Sequence, residues 1–192
     1  EVSRLHLLRT GVVKCTTLLP DGRSQIMSLH FPGELVGLAD LGAACHGGAA
    51  VVMANAVVAP IPVRRLEACA CTHPVLQRRL FKSLADMGND AETHVQVLHH
   101  GTPTERIAWL LTDLARRRGW AFQEGLRLQM PLSRMEIADY LGLATETVSR
   151  TLTCMRREGS LVAAGRTFTV GDPVALLACA RSAPYGGSRD DG

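Results

Sequence analysis

The sequence predicts an α+β protein: a β-rich first part, then a long helix, then a small helical domain with a short sheet. Three observations support this order. Residues 1 to about 66 contain strand-like apolar stretches separated by turn residues. From His73 onward, apolar residues recur every three or four positions, as on one face of a helix. Two short amphipathic segments joined by Gly142 then precede a final pair of strand-like runs.

The β-rich part, residues 1–72, is expected to be a partial sensor domain. "RLHLLRTGVVKCTTLLPDGRSQIMSLHF" has apolar stretches around two turn signals, Gly11 and Pro20-Asp21-Gly22. The Val-rich "AAVVMANAVVAPIPV" predicts one or two further strands. Because the chain opens at Glu1 in sequence that already reads as a strand, we expect a further N-terminal segment to precede it.

The region 73–101 is predicted to be one long helix that forms a dimer. It ends at His99-His100-Gly101, where imidazoles meet the negative end of the helix dipole and Gly follows the last turn. Its apolar stripe has no obvious partner within the chain, which favours a homodimer with its axis near Met87 to Val95. The predicted interface residues are Leu80, Leu84, Met87, Ala91, Val95 and Leu98.

The region 102–192 is predicted to start with a capped helix. Thr102 and Glu105 form a T-x-x-E capping box, with Pro103 at the first helical position. Ser133 and Glu136 form a second box. Strands are expected at "RLQM" and in "SLVAAGRTFTV", and the polar tail 181–192 is expected to be disordered.

Composition excludes several classes of protein. The net charge of +3 is only mildly basic, so charge alone does not indicate nucleic acid. Aromatic residues make up 4%, which argues against a stacking platform for single strands. No apolar run approaches the roughly 18 residues of a membrane span. Six cysteines at irregular spacing do not form a secreted disulfide framework, so we expect a reducing cytoplasm.

The stretch "SRMEIADYLGLATETVSRTLTCMRREG" has the spacing of a helix-turn-helix motif. Val148, Leu152 and Met155 lie at i, i+4 and i+7, so they share one face of the second helix and are predicted to pack inward. The outer face then carries the residues that we predict to read bases: Glu146, Ser149 and Arg150. Arg can bond bidentately to guanine O6 and N7, Glu can accept a hydrogen bond from cytosine N4, and Ser can donate or accept.

Further residues are predicted to contact the DNA backbone. "SLVAAGRTFTV" is interpreted as a two-stranded wing with its turn at Gly165-Arg166. The predicted backbone contacts are Ser133, Thr145, Thr147, Arg156, Arg157 and Arg166. The alternative is an ordinary helical hairpin with a solvated, charged face. The small Ala138, the Gly turn, the apolar register and the trailing hairpin together favour DNA binding.

"MPLSRMEIADYLGLATETVSR" resembles the signature of the CRP/FNR superfamily of bacterial transcription regulators, on its FNR/FixK side. "GVVKCTTLLPDGRSQIMSLHFPGELVGL" is similar to the second half of that family's β-roll sensor domain. The resemblance implies a truncated β-roll, a dimerising helix and a winged helix. It also implies an activator of transcription that contacts RNA polymerase and reads a TTGAT-type palindrome. One departure is Ala144, where the family usually has a capping Ser or Thr, so the cap is lost or passes to Thr145.

The resemblance implies two candidate cofactors, cyclic AMP and an iron–sulfur cluster, and the sequence argues against both. "FPGELVGL" resembles the start of the family's phosphate-binding cassette, with Glu34 in the place of a ribose-binding Glu. The following "ADLGAACHGGAAVVMAN" contains no Arg to hold a cyclic phosphate, so cyclic AMP is not expected. The internal cysteine of an FNR-type iron–sulfur cluster falls on Ala59, which cannot act as a ligand. We therefore expect no cofactor.

Other cysteines and histidines leave a second function open: a metal-, haem- or thiol-redox-responsive sensor whose DNA binding is secondary or lost. Cys69 and Cys71 in "CACTH" are spaced too tightly for a closed zinc site and are expected to be buried free thiols. Cys154, on the recognition helix, is a candidate redox residue, with a small core filler as the alternative. His94 is a candidate haem or metal ligand, or a partly exposed helix residue. The motifs G-x-S-x-G, G-x-x-x-x-G-K-[ST] and H-E-x-x-H do not occur, so an enzyme is not expected.

Overall fold

The structure, a computed structural model, describes residues 2–182 and confirms the α+β fold. The strands are β1 Arg4–Leu18, β2 Ser24–His30, β3 Leu35–Val36, β4 Ala49–Pro62, β5 Arg127–Gln129, β6 Leu161–Ala164 and β7 Thr167–Val170. The helices are α1 Val63–Thr72, α2 Pro74–His100, α3 Pro103–Arg117, α4 Arg134–Tyr140, α5 Thr145–Arg157 and α6 Pro173–Ser182, with a short 3-10 turn at Leu38–Asp40.

The described chain forms two compact units that divide between Ala91 and Glu92, inside α2. The helix predicted over residues 73–101 is thus observed almost to its ends, but each unit holds part of it. The division into 1–72, 73–101 and 102–192 stays an interpretation of the sequence.

The first unit is built on β1, which pairs antiparallel with β2, β3 and β4. Three side chains of β1 lie in two small apolar clusters. The first cluster is formed by Leu5, Leu38 and Val63, and the second by Leu8, Val13 and Val36. Each cluster buries side chains from distant parts of the chain, which holds the sheet and α1 together.

Two expectations about this unit were wrong. Gly11 is not a turn but a point inside β1, at a φ of 86°, where the register to β4 shifts. A Cβ there would collide with Asn55, so the close approach of β4 requires glycine. The Val-rich segment forms a single long strand, β4, which agrees with the one or two strands predicted there. The β region also ends earlier than predicted, at Pro62, because Val63 begins α1.

The second unit combines the C-terminal part of α2 with α3 to α6 and a sheet of order β5-β7-β6. Apolar residues of α3, among them Ile107, Leu110 and Leu111, are almost completely buried. Helix α6 was not predicted, although Asp172 before Pro173 is a recognisable start signal, and the Asp172 carboxylate accepts the Ala175 N–H at 2.9 Å.

The predicted disorder of residues 181–192 is wrong for the first two, which end α6, and the rest lies outside the described residues. Between residues 2 and 182 no helix is long and apolar enough to cross a membrane.

Candidate nucleic-acid interface

The helix-turn-helix motif is formed by α4, a tight turn and α5. The Ser133 hydroxyl accepts the Glu136 N–H at 3.3 Å, and the Glu136 carboxylate accepts the Ser133 N–H at 2.8 Å, which confirms the predicted capping box. Gly142 then takes a left-handed conformation at a φ of 59°. This reverses the chain between the two helices at low cost, because glycine has no Cβ. Ala138, 4% exposed, lies in the packed interior as expected.

Arg106 of α3 holds this turn in place, and sequence reasoning did not single it out. Its Nε donates to the Gly101 carbonyl at 2.8 Å, and its Nη1 donates to the carbonyls of Leu141 at 2.9 Å and Gly142 at 3.2 Å. A cation is therefore bonded to carbonyls at both the end of α2 and the motif's turn. Nothing in the local sequence signals these contacts, which span up to 36 residues.

Helix α5 has the inward face that its apolar register predicts. Val148, Leu152 and Met155 are 0%, 4% and 1% exposed, which confirms that this face is part of the core. Residues on the opposite side are solvent-exposed: Glu146, Ser149, Arg150, Thr153, Arg156 and Arg157. The three predicted base-reading residues thus lie together on one accessible face of one helix.

The outward side chains keep most of their hydrogen-bonding groups for a partner. Arg150 Nη2 makes a long hydrogen bond of 3.4 Å to the Thr147 hydroxyl, which engages only part of its fork of five N–H donors. The Thr153 hydroxyl bonds back to the Ser149 carbonyl at 2.9 Å. Glu146 lies in the first turn, where its charge suits the helix dipole.

Four of the six residues predicted to contact the DNA backbone lie on α5 itself. Thr145 and Thr147 are half-buried in the first turn of α5, and Arg156 and Arg157 lie in its last turn. Arg166 lies in the turn between β6 and β7, where the predicted wing is observed, and its Nη1 donates to the Pro131 carbonyl at 3.4 Å. Their contacts to phosphate stay a prediction.

The start of α5 lacks a side-chain cap. Ala144 is the N-cap residue, and no side chain there accepts a hydrogen bond from the first turn, so Thr145 does not replace the missing cap. The N–H groups of this turn are therefore left for another acceptor. A DNA phosphate is a suitable acceptor, because helix N-termini bind anions.

Cys154 is half-buried on the outward side of α5 rather than a core filler. Its thiol donates to the Glu158 carboxylate at 3.1 Å, and Arg157 Nη2 lies 3.8 Å from the sulphur. A shallow concavity runs along this part of the helix, lined by Ser149, Arg150, Thr153, Cys154 and Arg157. The thiol thus shares its surroundings with the predicted base-reading residues.

The histidine and cysteine candidates for a metal do not come together in the described part of the chain. No group of three or more His, Cys, Asp or Glu side chains there has ligand geometry. His94 packs against the rings of Trp109 and Tyr140, at centroid distances of 5.1 Å and 4.3 Å. Its Nε2 lies 2.9 Å from the Tyr140 carbonyl. Burial lowers the pKa of His94, so the ring is a neutral donor that holds α2 to α4.

Cys69 and Cys71 are exposed, so their expected burial was wrong. Helix α1 turns Val63 and Leu66 toward the core, and the two cysteines lie on its other side. Ala59 is an ordinary residue of β4 opposite Leu7. The Glu34 carboxylate accepts the Phe31 N–H at 3.3 Å and pairs with His30. The absence of a cluster and of a cyclic nucleotide stays a prediction from the sequence.

Known proteins are similar to this chain in sequence and in fold. Residues 105–179 match the family described as the Crp-like helix-turn-helix domain. The chain is 34% identical over 179 residues to the transcriptional activator protein Anr of Pseudomonas protegens, covering 92% of this chain and 72% of that protein. It is 33% identical over 184 residues to the transcriptional activator protein FnrA of Stutzerimonas stutzeri, covering 94% and 74%.

Among solved structures, FixK2 from Bradyrhizobium japonicum superposes with a TM-score of 0.79 at 31% identity, covering 92% of this chain and 87% of that one. The similarity extends over both units, and the second of these contains the capped helix-turn-helix and the β6–β7 wing. The chain therefore belongs to the CRP/FNR superfamily of DNA-binding transcription regulators, on its FNR/FixK side.

Proposed function

We propose that two copies of this chain bind a palindromic DNA site, with each α5 reading one TTGAT-type half-site. The observation that carries the proposal is the division of α5 into a buried apolar face and an exposed face with Glu146, Ser149 and Arg150. A major groove admits one helix, and these side chains have the donors and acceptors to distinguish its base edges. The palindrome follows because one wing domain covers only one half-site.

Base readout is tested by anisotropy of labelled DNA carrying a TTGAT palindrome or single-base variants. Arg150→Ala should weaken binding by about 1–3 kcal/mol per half-site and relax the preference at the guanine. Glu146→Ala should relax specificity more than affinity, because its carboxylate repels phosphates and helps only where a base donor faces it. Equal losses on every sequence would make Arg150 a phosphate contact only.

Arg157 provides the matched comparison, since it is an exposed arginine on the same helix. Arg157→Ala should weaken all sequences alike and reduce the salt dependence by about one unit of slope. If neither Glu146→Ala nor Arg150→Ala changes binding, α5 does not enter the groove and the proposal fails.

The proposed homodimer uses the middle of α2. Two members of the predicted stripe already have partners within their own unit: Leu84 packs against the cluster of Leu5, Leu38 and Val63, and the Leu98 side chain lies beside Gly142. Between them Met87 is half-buried, Ala91 is exposed and Val95 is 54% exposed. This part of the stripe has apolar surface to bury against a second copy, which supports an axis near Met87 to Val95.

The dimer is tested with two alanines of α2, both exposed. Ala91→Glu, on the stripe, should shift the sedimentation coefficient to that of a monomer, because two carboxylates would face each other across the axis. Ala85→Glu, on another side of the helix, should leave the dimer unchanged. A monomer in the unmodified protein at micromolar concentration, or a dimer in Ala91→Glu, contradicts the assignment.

The proposed regulator acts in the cytoplasm, contacts RNA polymerase and activates transcription without a bound cofactor. The names of the relatives support activation, since Anr and FnrA are both called transcriptional activators. The arginine-free cassette and Ala59 support the absence of cyclic nucleotide and cluster. Run-off transcription with purified polymerase tests this: transcript should increase with the palindrome upstream of the promoter, and repression at that position would contradict it.

A further inference from the structure

The first unit places a cysteine and a histidine side by side on the β1–β2 ribbon. Cys15 lies opposite Ser28, and Val13 lies opposite His30, in the antiparallel register. Because side chains alternate along a strand, all four point to the same face, and Cys15 and His30 are diagonal neighbours. Val13 belongs to the apolar cluster with Leu8 and Val36, and Cys15 packs against that cluster. The pair therefore lies at the edge of a core.

His30 is held by polar groups on several sides. Its Nε2 lies 3.1 Å from the Ser28 hydroxyl, and its Nδ1 lies 3.5 Å from the Glu34 carboxylate. The Phe31 N–H fixes that carboxylate at 3.3 Å. Cys15, from β1, lies on the same face as the ring, as its diagonal neighbour. The His30 side chain is only 14% exposed, so these groups determine its charge.

The environment of His30 favours its protonated form. Burial opposes a charge on the ring, but the interactions of the ring with Cys15 and Glu34 outweigh it and raise the pKa of His30 to about 9. The ring is therefore an imidazolium at neutral pH. A cation next to a sulphur stabilises the negative charge of an attacking thiolate.

We propose that Cys15 is a peroxide-reactive thiol, with His30 as its proton donor and Glu34 as the residue that positions His30. The chemical class of the effector is a small hydroperoxide, and Cys15 is the site of modification. This goes beyond DNA binding and does not depend on the palindrome or on the dimer. It concerns a part of the chain that contributes nothing to the helix-turn-helix.

The reaction balances with groups that the structure places together. The Cys15 thiolate attacks the terminal oxygen of the peroxide, forming an S–O bond while the O–O bond breaks. The departing hydroxide or alkoxide takes the proton of the His30 imidazolium and leaves as water or an alcohol. The products are the sulfenic acid of Cys15 and a neutral His30. The Cys15 sulphur loses two electrons, and the peroxide gains the same two.

Burial explains why a small peroxide, rather than a bulky disulfide, is the expected oxidant. Cys15 is half-buried beside apolar side chains, whereas Cys45, Cys69 and Cys71 are exposed and open to larger reagents. A sulfenic acid at Cys15 adds a polar oxygen next to Leu8 and Val13, where it lacks the hydration of a surface site. Oxidation should therefore loosen the β1–β2 ribbon.

The first experiment measures which cysteine reacts. The full chain is treated with limiting hydrogen peroxide at neutral pH, trapped with dimedone and digested, and each cysteine is quantified by mass spectrometry. Cys15 should form the adduct at least about tenfold faster than the exposed Cys45, since the His30 cation lies beside Cys15. Faster oxidation of the exposed cysteines would overturn the proposal.

The second experiment tests His30. His30→Gln keeps a polar side chain but removes the proton donor, and should slow Cys15 oxidation by about a hundredfold, as expected when a positioned acid is removed. The rate in the unmodified protein should fall above pH 9, where His30 deprotonates, whereas the rate of an isolated thiol rises with pH. Ser28→Ala leaves the charges in place and is the matched control, with a small effect expected. Unchanged rates in His30→Gln would refute the role of His30.

A third measurement uses the unmodified protein, so it holds even where His30→Gln folds poorly. Imidazole chemical shifts of labelled protein should show His30 protonated at neutral pH, and Cys15→Ser should lower its titration midpoint. A neutral His30 in the unmodified protein would overturn the proposal by itself.

Discussion

Gly142→Ala offers a quantitative test of how the helix-turn-helix is held together. Gly142 has a φ of 59°, so an L-residue there is strained by about 1–2 kcal/mol. The added Cβ would lie 3.5 Å from Arg106 Nη1 and 3.6 Å from Leu98 Cδ2, which are ordinary contact distances. Steric overlap therefore adds little to the backbone strain. Alanine also restricts the unfolded chain, which offsets about 0.4–1 kcal/mol of that strain.

The expected net loss is about 1 kcal/mol in the free energy of unfolding, or roughly 2–4 °C in Tm for a chain of this length. Urea unfolding followed by circular dichroism measures it. Gly119→Ala is the matched control, because Gly119 has a similar φ of 66° and no atom near its added Cβ. Gly142→Asn should lose less than Gly142→Ala, since asparagine tolerates the left-handed conformation.

Equal losses in Gly142→Ala and Gly119→Ala would support strain as the only cost. A loss above about 3 kcal/mol in Gly142→Ala, with a small one in Gly119→Ala, would refute the reasoning, because a loss of that size requires overpacking. Arg106 and Leu98 would then be too rigid to accept a methyl group.

Three further predictions concern Arg106, His94 and Cys154. Arg106→Met should cost about 2 kcal/mol in urea unfolding, since hydrogen bonds from a charged donor are lost, while Arg116→Met, at a 62% exposed side chain, should cost under about 1 kcal/mol. The pKa of His94 in the folded protein lies below its usual 6.5. The neutral ring therefore contributes stability above pH 6.5, and this contribution is lost as the pH falls through the folded pKa. On acidification, Tm should drop more in the unmodified protein than in His94→Gln. Cys154→Asp, which mimics an oxidised thiol, should weaken DNA binding in anisotropy, whereas Cys154→Ser should not; equal affinities would exclude Cys154 as a redox site.

The DNA-binding part could be predicted from the sequence because its signals are local. Each capping box joins residues three positions apart, and the inward face of α5 follows from the spacing of Val148, Leu152 and Met155. Helical periodicity relates neighbours along the chain, so the outward position of Arg150 required no knowledge of the fold. The missing cap at Ala144 was equally visible.

Contacts between distant segments were decided only by the tertiary structure. Arg106 reaches a turn 35 residues away, and Cys69 is exposed because of how α1 packs. Cys15 meets His30 because the β1–β2 register places Cys15 opposite Ser28. A shift of the strand pairing by one residue would move the side chains of one strand to the opposite face of the sheet. The sequence pattern does not specify this register. By itself, the sequence therefore determined the helix-turn-helix, because the contacts of that motif are local. Only the tertiary structure decided the surroundings of the chain's cysteines and histidines, since the neighbours of a side chain across a sheet depend on strand pairing.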